Sequence, residues 1–160
     1  MKIPRSLLAL LAFSIWSAFQ GIGSLLKPAS SKALFSEYNL EIFYYVAVII
    51  TSVGGVALAY VLYKRKNWGY QVGVVWLGVG IIYTLYTGVV SLLNKGLVVS
   101  MMTARLESQG RSTASVQSFV ESSGYEITTI ATTAGMVLLM CFFIWKLKQH
   151  KSLFSSAFAN

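Results

Sequence analysis

Four apolar runs, each free of Asp, Glu, Lys and Arg, divide this 160-residue chain: residues 6–26, 43–63, 68–93 and 127–145. A hydrocarbon core about 30 Å thick is crossed by roughly 20 helical residues, so each run predicts a transmembrane helix. Helices alone satisfy their own backbone within lipid, and the runs are too long for barrel strands. The third run exceeds the length required, which predicts tilt or an extension past the bilayer. The pattern therefore predicts an all-α, polytopic membrane protein. Residues 1–160 form one domain, a bundle of four transmembrane helices. The intervening segments are outer loops 27–42 and 94–126 and a turn at 64–67, with a tail at 146–160.

The first run has a rival reading. A basic start followed by an apolar stretch also describes a secretory signal. Its cleavage site is poor, because Trp16 stands two residues before Ala18 and only Gly21 and Gly23 offer small residues at a suitable spacing. Bulky Trp16 and Phe19 favour a retained helix.

The connecting segments carry their own signals. A four-residue turn makes the second and third helices antiparallel neighbours. Asn67 and Gly69 suit a tight bend there. In the first outer loop "KPASSK" (residues 27–32) breaks the helix at Pro28 and reads as flexible. In the second outer loop, "GLVVSMMTARLE" reads as an extension of the third helix, and residues 108–115 ("SQGRSTAS") read as a turn. Ser112 or Thr113 can then cap a short amphipathic helix that presents Val116, Phe119 and Val120 at helical spacing. These three are candidate outer-loop contacts: the helix either covers the bundle or offers a surface to a partner or substrate.

Composition sharpens the membrane reading. Only 11% of residues are charged and 56% are hydrophobic, where a soluble domain carries about 25% charged. The net charge of +8 has a place. Lys2, Arg5, Lys64, Arg65, Lys66, Lys146, Lys148 and Lys151 fall at one set of span ends with no carboxylate side chain among them. The opposite ends carry five cations and all five glutamates, and are neutral. By the positive-inside rule both termini and the 64–67 turn are cytoplasmic, in a cell (inner) membrane. Lys64, Arg65 and Lys66 thus read as topology determinants that also meet anionic lipid headgroups. No module with aromatic or polar readers accompanies these cations, so nucleic acid is not an expected partner.

Candidate chemistry changes little. Thr51, Gly55 and Ala59 recur every four residues, as do Gly80, Thr84 and Gly88. Small residues so spaced let helices approach closely in lipid, within one chain or across an oligomer seam. With so short a turn between them, the small faces of the second and third helices can meet. Thr84, Thr87, Thr128 and Thr132 form a possible polar track. Met136 and Met140 share a helix face beside Cys141 and resemble the Met-x-x-x-Met of copper transporter helices, without the Met-rich flanking segments of that family. Small multidrug transporters have a similar size and helix count, but they need a membrane carboxylate that no run supplies. With no Asp, one His (His150) in the tail and no phosphate-binding glycine loop, neither catalysis, a cofactor nor a metal is expected.

In its basic turn, size and helix layout, the chain resembles the small four-span proteins of bacterial membranes. The resemblance is architectural and transfers no site. The expected role is an accessory or scaffold subunit, acting through helix and outer-loop contacts with another membrane protein or with itself. The alternative is an oligomeric pore or facilitator for a small solute, lined by Thr, Tyr and Gly.

Overall fold

The computed structural model describes residues 4–26, 31–64 and 68–155 of the chain. Four helices are long and apolar enough to cross a membrane: α1 (Arg5–Leu26), α3 (Glu41–Lys64), α4 (Gly69–Leu93) and α7 (Ser123–Gln149). Shorter helices are α2 (Ser31–Ser36), α5 (Lys95–Ser108), α6 (Val116–Glu121) and α8 (Ser152–Ser155). Among the described residues all regular structure is helical.

The long helices outrun the apolar runs where polar residues supply caps. Ser122 accepts a hydrogen bond from Tyr125 N, which opens α7 ahead of its first apolar residue. At its other end Lys146 and Lys148 carry the helix on, where cations complement the helix dipole. The third helix, by contrast, does not extend through "GLVVSMMTARLE". Asn94 leaves helical geometry (φ −118°, ψ 69°) and its Oδ1 accepts from Leu97 N at 3.1 Å, so α4 stops and α5 starts afresh. An Asn side chain that can replace a backbone acceptor favours such a break. Gly110, at φ +66°, then stops α5 inside the expected turn. The first outer loop contains α2, which begins at Ser31 within the stretch read as flexible and which Asn39 closes in the left-handed region at φ 56°; residues 27–30 of that stretch lie outside the described residues. Arg65, Lys66 and Asn67 lie outside the described residues.

α1 packs on α3, α3 on α4 and α4 on α7, while α1 and α7 meet only in part. One end of the bundle gathers the start of α1, the end of α3, the start of α4 and the end of α7. Its core joins Leu7, Leu10, Leu58, Leu62, Phe143 and Leu147, with Phe154 of α8 beneath. Arg5, Lys64, Lys146, Lys148 and Lys151 surround this basic end. At the loop end, α2 inserts Leu34 and Phe35 beside Tyr44, Val48 and Val90. The Tyr86 hydroxyl donates to Leu34 O at 3.1 Å and fixes α2 in place. A third cluster, Val98, Val116, Val120 and Tyr125, holds α5 and α6 against α7.

Two ion pairs tie the loop-end helices to the bundle: Lys32 with Glu41 at 3.3 Å, and Lys95 with Glu126. The Lys32 ammonium titrates above its ordinary value because it hydrogen-bonds the Tyr45 and then the Glu41 side chains. Around their apolar core the long helices expose a surface unlike that of a water-soluble bundle. Ser14 and Ser52 are buried, whereas Phe19, Ile82 and Leu138 are each 70% exposed.

Candidate functional site

The site begins where α1 and α7 part. They touch through Phe13 and Phe143, whose ring centroids lie 5.6 Å apart, and Trp76 of α4 meets Phe13 edge-on at 5.8 Å. Below this aromatic layer, towards the basic end, Leu10, Leu58 and Leu147 are fully buried. Above it α1 and α7 separate and leave a crevice of about 210 Å³. Phe13, Trp16, Ser17, Gln20 and Ser24 form the α1 wall. Thr51 of α3 and Trp76, Gly80, Tyr83 and Thr84 of α4 lie at the back, and Met136 and Met140 supply the α7 side. A shallower groove of about 230 Å³ continues from Thr84 and Met136 along the α4–α7 seam, past Thr87, Ser91, Thr129, Thr132 and Thr133.

Sequence explains the divergence. Near the loop end α4 and α7 approach closely because Gly88 has no side chain and Thr133 packs over it. α1 is drawn instead to α3: a Cβ on Gly55 would lie 2.7 Å from Ser14 O and 3.2 Å from Ala18 Cβ. Gly21 of α1 in turn lies against Ser52 of α3. The two helix pairs are thus zipped separately by glycine, and the space between α1 and α7 stays open.

The crevice is uncharged and largely apolar, with a few polar groups set into it. Trp76 Nε1 donates to Thr51 O at 2.9 Å, and Thr51 Oγ1 donates back to Ala47 O at 2.8 Å. Thr87 and Thr132 likewise bond to their own helices, at Tyr83 O and Thr128 O. Ser17, Gln20, Thr129 and Thr133 donate no side-chain hydrogen bond among the described residues. Gln20 is exposed and the other three are half-buried. On the far side of Tyr83, a second recess of about 400 Å³ between α3 and α4 is lined by Phe35, Phe43, Ile50, Ile82 and Tyr86 and is almost wholly apolar.

The residues singled out from sequence are dispersed. Thr51 and Thr84 line the crevice. Gly55 faces α1, Gly80 lies against Met140 and Gly88 against Thr133 of α7, and Ala59 is half-buried on α3. The small faces of the second and third helices therefore do not meet each other. The α3–α4 contact is made instead by Gly54 beneath Trp76, whose Cδ1 lies 2.6 Å from where a Cβ would stand. Of the outer-loop candidates, Val116 and Val120 are buried against α5 and α7, and Phe119 alone is exposed. Lys64 is exposed, with its ammonium over the Tyr63 ring; Arg65 and Lys66 fall outside the described residues. Thr84, Thr87 and Thr132 come together in the groove, but Thr128 is exposed and lines neither recess. Met136 and Met140 line the crevice, while Cys141 is exposed beyond it. The aromatic layer was not anticipated from sequence. Its signal is the position of Phe13 and Trp76 well inside apolar runs, away from the interfaces that aromatic residues favour.

No protein-family model, curated protein or solved structure matches the chain.

Proposed function

We propose that this chain is a multi-pass protein of the cytoplasmic membrane that serves, without catalytic chemistry or a cofactor, as an accessory or scaffold subunit. It acts by laying helix faces against another membrane protein. One observation carries the reading: the face of α7 formed by Thr128, Ala131, Thr132 and Gly135 is exposed, and a Cβ on Gly135 would meet nothing within 4 Å. Lipid tails supply no hydrophobic drive between helices, so association rests on close packing and interhelical hydrogen bonds, and small residues permit both. The apolar exteriors of α1, α3 and α4 support a lipid surround. Large side chains such as Phe19, Val53 and Ile82 face outward there and would keep a second backbone at a distance.

In this reading the basic end lies in the cytoplasm, with both termini. Lys146, whose ammonium stands 4.1 Å from the centroid of the Trp145 ring, anchors α7 at the interface. The neighbouring cations attract anionic headgroups, each contributing about 1 kcal/mol. A pore or facilitator is the second reading, favoured by the hydroxyl lining of the α4–α7 groove. Within one chain the crevice ends at the Phe13–Phe143 layer, so that reading requires an oligomer to complete a path.

The test is co-purification from native membranes in mild detergent. One membrane protein should be recovered at fixed stoichiometry with the natural chain and with Val75→Leu, and lost with Gly135→Leu. Recovery unaffected by Gly135→Leu, or no stoichiometric companion at all, refutes the scaffold reading.

A further inference from the structure

The crevice poses a chemical problem that the fold leaves open. Gln20 is exposed on a helix apolar enough to cross a membrane, and its carboxamide donates to no described residue. Ser17 beside it holds an unused hydroxyl donor, as do Thr129 and Thr133 in the adjoining α4–α7 groove. Along α1, at 1.5 Å per residue, Gln20 lies about 7 Å from the midpoint of the helix towards the loop end. In hydrocarbon an unsatisfied polar group costs several kcal/mol. A polar group entering at this depth would offset that cost.

We propose that the α1–α7 crevice receives an uncharged hydrogen-bonding side chain, of the Asn, Gln or Ser type, from a single membrane-spanning helix of another protein. Three observations select this occupant. The opening is a slot parallel to the helices, lined along α1 from Phe13 to Ser24, roughly 16 Å at the helical rise; a rod-shaped partner matches it. Ser17, Gln20, Thr51 and Thr84 set polar groups into an otherwise largely apolar lining, and an acyl chain would leave Ser17 and Gln20 without a partner. No charged side chain lines it, so a charged guest would meet no counter-charge. At about 210 Å³ the crevice is too small for a whole helix but admits a side chain from one lying across its mouth. Thr132 lines the groove that continues from the crevice, and a Cβ on Gly135, three residues further along α7, would meet nothing within 4 Å, so a helix can approach closely there. Gln20 and Ser17 supply donors and acceptors from the α1 wall.

This inference rests on the scaffold reading and names the chemistry of its partner. It is tested in proteoliposomes with the full chain and two synthetic Ala/Leu helices, alike except for one Asn in place of Leu about 7 Å from the centre, binding being read by fluorescence transfer. The Asn helix should bind about 3- to 10-fold more tightly, the range expected of an interhelical hydrogen bond in lipid. Gln20→Leu should abolish the preference, and Ser17→Ala should reduce it. Equal binding of the two helices to the natural chain overturns the proposal, as does a preference that survives Gln20→Leu. Native mass spectrometry showing a tightly retained amphiphile that blocks the Asn helix also overturns it. Loss of the co-purified partner on Gly135→Leu without any Asn preference would leave the scaffold reading standing and remove this one.

Discussion

Adding one methyl group at Gly55 tests how α1 is held. A Cβ there would stand 2.7 Å from Ser14 O and 3.2 Å from Ala18 Cβ. The first neighbour is main chain and cannot rotate aside, so α1 must retreat by several tenths of an ångström along the contact. Overpacking of this kind costs about 1–3 kcal/mol. Replacing Gly by Ala also stabilises a helix by about 1 kcal/mol through backbone entropy, which would mask part of the loss. Gly135→Ala supplies the reference, because a Cβ there meets nothing within 4 Å and only the propensity gain remains. The difference between the two variants isolates the steric term and should be about 1–3 kcal/mol, with Gly55→Ala the less stable. Reversible unfolding in mixed micelles, followed by circular dichroism, measures both. Equal stabilities would mean that α1 does not pack on α3 through Gly55, and the glycine zipping that opens the crevice would fall with it.

The remaining expectations are narrower. Trp76→Phe removes the bond to Thr51 O and should destabilise the α3–α4 pair by about 1 kcal/mol in the same unfolding assay; an unchanged midpoint argues against that bond. Glu126→Gln breaks the part-exposed pair with Lys95 and should cost less than about 1 kcal/mol, seen as faster amide exchange in α5 and α6 with α7 unaffected. Cysteines placed at Asn67 and Ser115 test orientation: a membrane-impermeant maleimide should label only Ser115→Cys in intact cells. Labelling of both positions would reject the assigned topology.

The four long helices were legible because charge is absent from their runs, and absence of charge over some 20 residues has few explanations. Their ends were less so. Ser122 and Asn94 act as caps through side-chain geometry, which hydropathy does not register. α2 escaped notice since its six residues follow Pro28 and its stability comes from inserting Leu34 and Phe35 between α3 and α4. Spacing identified small faces at Gly55 and Gly88 but not their partners: a four-residue repeat says which side of a helix is small, and tertiary packing decides what lies against it. The crevice depends on the divergence of two helices distant in sequence, so no local pattern contains it. Gln20, Thr129 and Thr133 were nevertheless visible as polar residues in apolar runs, a cost that only a packed or hydrated environment offsets.

The α7 face is the centre of the functional account, and photocrosslinking in native membranes probes it most directly. With a photoreactive side chain replacing Gly135, the chain should form one discrete adduct with a single membrane protein. The same probe at Val75, on the outward face of α4, should give none. Identical products from the two positions, or no protein adduct at Gly135, would contradict the account.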